Sequence, residues 1–217
     1  MKLSTRGAAK ASEFLKRNMT AVTAAVMLLS LMGYLIVDSA VFSTGCHELY
    51  DGVLRLHILA NSDSAEDQTE KLRVRDALLG EIEALTADCT SREAAAAKLA
   101  GAAEELGERA AAMTGRPVTV SLSPERYGTR HYGSFSLPAG TYLSLRIGLG
   151  EAAGHNWWCV AFPAVCTAAT AEELETTAVA AGLSGGEVRL MTEDSPDIRV
   201  RFFLLELLSS LREKLRG

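Results

Sequence analysis

Hydrophobic and polar positions change rhythm several times along this chain. From Met19 to Val37, nineteen residues, no position is charged and none is proline. At roughly 1.5 Å per helical residue, such a run matches the thickness of a bilayer's hydrocarbon core. A segment apolar on every side is not an ordinary soluble helix, so it predicts a signal peptide or a signal-anchor helix. From Val53 to Ala60 the period becomes two, with Leu54, Leu56 and Ile58 facing one way and Arg55 and His57 the other. That alternation predicts a half-buried strand. The cluster Asn61-Ser62-Asp63-Ser64 ends it, and Asp63 with Glu66 three residues on predicts a capped helix start. Val74, Leu78, Ile82 and Leu85 carry a helical stripe to about Leu85, with Asp67 and Lys71 positioned to pair on its exposed side.

The same capping spacing at Thr90 and Glu93 opens a second, alanine-rich helix. Its stripe is Leu99, Ala103, Leu106, Ala110 and Met113, and Gly115 and Pro117 end it. Period two returns in Val118-Val120-Leu122 and again from Tyr142 to Leu149, the latter after a turn at Pro138-Ala139-Gly140. Trp158 to Phe162 reads as a further short strand that stops at Pro163. Residues 167–196, rich in Thr, Ala, Glu and Gly, predict a partly helical, mobile connector. From Asp197 a helix resumes, with Ile198, Phe202, Leu205, Leu208, Leu211 and Leu215 near one stripe and Phe203, Leu204 and Leu207 widening it. So broad a stripe fits the body of the protein, a partner or a membrane.

The predicted fold class is α+β. It has a small, mostly antiparallel sheet, two consecutive helices after the first strand and a C-terminal helix, preceded by an N-terminal transmembrane or signal helix. The expected layout is a basic cytoplasmic segment at 1–18, the membrane or signal helix at 19–37 and a linker at 38–52. An α+β signalling domain follows at 53–166, then the connector at 167–196 and an amphipathic helix at 197–217.

Charge sharpens this picture. The chain has 22 basic and 27 acidic residues, of which five and two lie in residues 1–39, leaving 17 and 25 for the rest. Lys2, Arg6, Lys10, Lys16 and Arg17 before the apolar run predict a cytoplasmic N-terminus with everything after Asp38 exported. Ser39, Ala40 and Ser43 offer cleavage sites, and Ser43-Thr44-Gly45-Cys46 is an imperfect lipoprotein box lacking the usual leucine. An acidic body with no basic cluster argues against nucleic acid as a partner. An exported location lets disulfides persist. Of Cys46, Cys89, Cys159 and Cys166, the pair Cys159–Cys166 is favoured because its six-residue spacer can fold back, and buried free thiols are the other reading.

Two long blocks carry a family resemblance. The first is Leu54-Arg55-Leu56-His57-Ile58-Leu59-Ala60-Asn61-Ser62-Asp63-Ser64 with Glu66-Asp67-Gln68, Lys71 and Val74-Arg75-Asp76-Ala77. The second runs from Pro138-Ala139-Gly140-Thr141-Tyr142 through Leu145-Arg146-Ile147, Gly150 and Gly154 to His155-Asn156-Trp157-Trp158-Cys159-Val160-Ala161-Phe162-Pro163 and Cys166. Together with Arg201-Phe202-Phe203-Leu204-Leu205-Glu206, they resemble the stage II sporulation protein R family. The resemblance implies a non-enzymatic protein exported into the space between forespore and mother cell. There it activates a membrane-embedded aspartic protease that processes a mother-cell sigma-factor precursor. It implies no cofactor and no small-molecule substrate.

The expected partner-binding surface comprises Arg55, His57, Asn61, Asp63, Trp157 and Trp158, although turn and cap duties also account for Asn61, Ser62 and Asp63. The two tryptophans fall on opposite faces of a regular strand, so at least one is partly exposed, as an interface anchor would be. The competing class is an exported cysteine-dependent cell-wall hydrolase with Cys159 as nucleophile and His155 or His57 as base. A third class is a passive membrane-anchored structural protein. Gly148, Gly150 and Gly154 lack nucleotide-loop spacing. His47, His57, His131 and His155 lack zinc spacing, so no metal is expected.

Overall fold

The computed structural model describes residues 13, 16–166, 168, 170–193 and 196–214. Helix α1 runs over Met19–Gly52, about 51 Å at 1.5 Å per residue. It is long and apolar enough to cross a membrane, a description that a signal sequence also meets. The large apolar side chains from Val26 to Val41 are exposed all round it. Residues 38–52, expected as a linker, continue the same helix. No proline interrupts them, and Cys46 and Leu49 are buried within the unit formed by Gly45–Gly217, so tertiary burial holds a segment of weak propensity helical.

In that second unit, β1 (Leu54–Leu59) is the inner strand of a mixed sheet ordered β2-β5-β1-β6, with β2 at Val118–Tyr127, β5 at Gly140–Leu149 and β6 at Asn156–Phe162. Two of its three pairings are antiparallel, as expected. The central one, β1 with β5, is parallel, with Leu54 opposite Leu143 and Ile58 opposite Ile147. A parallel neighbour needs a long crossover, supplied here by α2 (Ala65–Thr86), α3 (Arg92–Gly101) and α4 (Ala103–Thr114).

These helices cover one face. Leu54, Leu56 and Ile58 meet Val74, Leu78, Ile82, Leu99, Leu106 and Ala110 in one buried cluster. Ser64, not Asp63, caps α2, and Ser91, not Thr90, caps α3, each accepting the N–H three residues on. The alanine-rich helix is two helices broken at Ala102, and Met113 is exposed rather than on its buried stripe. Asp67 and Lys71 are buried, not paired on an exposed face.

The other face of the sheet is covered as well. The β3 (Arg130–His131) and β4 (Ser136–Leu137) hairpin, α5 (Ala171–Ala180) and α6 (Gly185–Thr192) join Leu49, Tyr127, Tyr142, Val160 and Leu174 in a second cluster. Both short helices lie in the expected connector. α6 closes with a capping box between Ser184 and Glu187. The last helix, α7 (Pro196–Lys214), buries Ile198 and Phe202 and leaves Phe203, Leu204 and Leu207 exposed, while Leu208, Leu211 and Leu215 have no described side chains.

Candidate partner-binding surface

The first block of the sequence pattern builds a polar junction where β1 ends. Asn61 accepts the Glu151 N–H (3.0 Å) through Oδ1 and donates through Nδ2 to Asp67 Oδ2 (2.8 Å). Ser62 Oγ donates to the same carboxylate oxygen (2.6 Å), and Arg116 approaches its other oxygen at 2.8 Å. These bonds, Ser62's first and Asn61's next, hold the Asp67 carboxyl below its ordinary range. Lys71 Nζ donates to Gln68 Oε1 (2.7 Å) and to the His155 carbonyl (2.8 Å). Burial lowers its pKa, with the neighbouring Arg75 charge acting in the same direction and Asp63 opposing.

The second block supplies the facing loop. Gly154 donates its N–H to the Ala60 carbonyl at 2.9 Å, and a Cβ there would lie 2.2 Å from the Ser62 carbonyl oxygen. Gly150 sits at φ 57°, where a Cβ would strike Asn61 Oδ1. Asp63 accepts the His155 N–H at 2.6 Å and also contacts its imidazole. Asp63 and His155 are the exposed rim of this junction, while Asn61 and Ser62 are half-buried.

On the opposite face, the β1 residues expected at the surface lie inside. Arg55 is fully buried and His57 is 5% exposed, because the second hydrophobic cluster roofs the face that alternation alone leaves to solvent. Arg55 lies over Tyr127 (4.1 Å), Tyr142 (5.2 Å) and Tyr132 (5.5 Å). Its Nε donates to the Cys159 carbonyl (3.1 Å) and one terminal nitrogen to the Tyr132 hydroxyl, while Nη1 has no hydrogen-bond partner among the described residues. Burial drives all three tyrosine pKa values up, so the rings remain neutral around the cation. His57 bridges Glu125 (2.8 Å) and Asn156 (2.7 Å) and stacks on Trp158 at 5.7 Å. Arg130 also lies over the Trp158 ring, at 3.8 Å.

Trp157 and Trp158 are therefore both half-buried, one on each face, with Arg75 over Trp157 at 5.3 Å. Cys159 and Cys166 are joined in a disulfide whose Cα atoms are 6.5 Å apart, and Cys46 and Cys89 are free and buried. Sequence reasoning missed Glu125, Tyr127, Tyr132, Asn156 and Arg116. The available signals were weak: Glu125 and Tyr127 share one face of β2, and Arg116 stands beside the helix-ending Gly115. Among the described residues, no three His, Cys, Asp or Glu side chains are grouped to hold a metal. This surface carries a hydrogen-bonded rim of Asp63 and His155 and one half-buried tryptophan on each face of the sheet.

Comparison with known proteins concerns the same segment. The family model for stage II sporulation protein R matches residues 50–172, from the end of α1 to the start of α5. Stage II sporulation protein R of Bacillus subtilis (strain 168) is 38% identical over 123 residues, 54% of this chain and 54% of that protein. The chain thus matches about half the length of this curated relative. No solved structure matches.

Proposed function

Because this chain belongs to the stage II sporulation protein R family, we propose that it is an exported sporulation signal acting between forespore and mother cell. It activates a membrane-embedded aspartic protease, which then processes a mother-cell sigma-factor precursor. The observation that carries this reading is the coincidence of the matched segment 50–172 with the sheet that presents Asp63, His155, Trp157 and Trp158 at its surface. The N-terminal apolar helix is consistent with export. As an activator, the protein contributes binding energy and leaves the catalytic carboxylates to its partner. It can shift the protease only by binding the active form better than the inactive one. Asp63, Trp157 and Trp158 form the contact, Asn61 holds the rim, and Arg55 and His57 act from beneath it by fixing Trp158 and β6.

The hydrolase alternative requires a free Cys159 thiol, which in this structure is 2% exposed and bonded to Cys166.

The test is co-expression with the candidate protease and the sigma-factor precursor in a non-sporulating host, following precursor size by immunoblot. Cleavage is expected to need both this chain and the protease's catalytic aspartate. Asp63→Ala with Trp158→Ala should cut it at least about tenfold while circular dichroism stays native, as removal of a hot-spot pair does. A precursor that stays full length with all three proteins made and exported overturns the proposal.

A further inference from the structure

Strand β2 is one edge of the four-stranded sheet and pairs only with β5. The Gly150 N–H donates to the Pro117 carbonyl at 2.9 Å, so Pro117 faces β5. The unbroken antiparallel register then turns the backbone of Thr119, Ser121 and Ser123 inward and points the N–H and C=O groups of Val118, Val120 and Leu122 out of the edge. Pro124 belongs to the outward set and has no N–H to offer, so the open ladder ends there. Among the described residues, no turn, loop or cap bond uses the three outward N–H groups. At the opposite edge, by contrast, Cys166 Sγ takes the Val160 N–H of β6 at 3.2 Å. No charged side chain interrupts Val118–Leu122, so this edge lacks the usual guard against a further strand.

A groove of about 490 Å³ runs beside the edge, lined by Ala103, Gly107 and Ala111 of α4 and by Val118 and Val120 of β2. Glu104 and Glu108 also line it, both exposed and without an ion pair or hydrogen bond among the described residues. The nearby cations turn elsewhere. Arg109 lies about 160° from Gly107 on the helical wheel, where it meets Glu81, and Arg116 is held by Asp67 and Glu70. Arg126 is about 13 Å beyond Leu122 along the strand, and Arg146, opposite Ser121, belongs to the other face of the sheet. A second copy paired antiparallel on the same edge would bring its own Glu104 and Glu108 against these, four carboxylates with no cation between them. A basic strand fits instead. Its alternate side chains are about 6.6 Å apart, against about 6 Å along the helix between Glu104 and Glu108. Lysine or arginine stems can lie over the small residues of α4 with their charges at the carboxylates. We propose that the β2 edge takes an extended segment of a partner protein as a fifth strand, one with lysine or arginine at alternate positions. This surface is separate from Asp63, Trp157 and Trp158 and does not rest on the protease reading.

The experiment titrates the full chain in neutral detergent with a short valine–threonine peptide, blocked at both ends and carrying two lysines at alternate positions. Amide exchange at Val118, Val120 and Leu122 should slow at least about tenfold on binding, as new ladder bonds form there. Methylating the amide nitrogens of one alternate set of peptide residues should abolish binding, and methylating the other set should leave it within about threefold, since only one set faces β2. Glu104→Gln with Glu108→Gln should weaken binding about fivefold, as loss of two rim ion pairs does. No binding at millimolar peptide would overturn the proposal. Binding that ignores which set is methylated, or that leaves the three amides exchanging at the parent rate, would place the peptide elsewhere on the acidic body and overturn it. A chain that sediments as a dimer without peptide, with the same three amides protected, would give the edge to a second copy and overturn it equally.

Discussion

Replacing Gly154 by alanine tests whether the two sequence blocks are locked together by backbone contact. The added methyl would lie 2.2 Å from the Ser62 carbonyl oxygen, 2.4 Å from its carbonyl carbon and 2.9 Å from its Cα. Carbon–oxygen contacts close in at about 3.3 Å, so the methyl is about 1 Å too near. All three atoms are backbone, and no side-chain rotation relieves them. If the loops part, the Gly154 and Ala153 N–H bonds to the Ala60 and Asn61 carbonyls, at 2.9 and 3.2 Å, are lost first. Two such bonds are worth about 1–3 kcal/mol together, and holding the clash costs about 1–3 kcal/mol by the alternative route. With some strain left on either route, the expected loss is about 2–4 kcal/mol, or about 5–15 °C in Tm for a body of this size. Thermal unfolding of the full chain in detergent by near-ultraviolet circular dichroism reads the loss, and amide exchange at residues 150–155 locates it. Gly80→Ala is the control: nothing lies within 4 Å of its would-be Cβ in α2, and it should stabilise by about 0.5–1 kcal/mol. A Gly154→Ala protein melting within about 1 °C of the parent, with unchanged protection, would refute the reasoning.

Two further outcomes follow from the same chemistry. Arg55→Met keeps most of the buried volume but removes the bond to the Cys159 carbonyl, the bond to Tyr132 and the contact with three rings. Charged hydrogen bonds and a desolvated cation–π pair, less the desolvation of the cation, predict a net loss of about 2–3 kcal/mol in denaturant titration, and an equally stable variant would show that desolvation cancels the cage. Asp67 has a folded pKa depressed by Ser62, Asn61 and Arg116, so its contribution is full above the ordinary carboxylate range and fades as pH falls through the lowered value. Tm against pH should drop on the acid side below about pH 4, and Asp67→Asn should lower the plateau and flatten that limb; a parallel curve would remove Asp67 from the acid response.

Periodicity made much of this fold legible. Leu54, Leu56 and Ile58, and the helical stripe Val74, Leu78 and Ile82, are all fully buried in one cluster. What alternation could not reveal was the roof over Arg55 and His57, because its parts come from residues as far apart as Leu49 and Met191. Polar residues facing a roof and polar residues facing water write the same local pattern. The parallel pairing of β1 with β5 was illegible for a related reason, since register is set between strands about ninety residues apart. The caps were each read one residue early because neighbouring Asp63 and Thr90 are also good cap residues, and Asp63 serves the His155 loop instead. The exposure of Asp63 and the partial exposure of the tryptophans were legible in the sequence, whereas the contribution of Glu125, Asn156 and Arg130 to bracing Trp158 depends on distant strands meeting.

The position of β1 also governs the order in which the molecule can be finished. The strand synthesised first lies between two of the last to be made, β5 and β6, so it has no strand partner until residues 140–162 follow it. A fragment ending before Gly140 keeps both edges of an apolar strand open, a state prone to aggregation and proteolysis. The central strand therefore closes into a sheet only in molecules in which both sequence blocks have met.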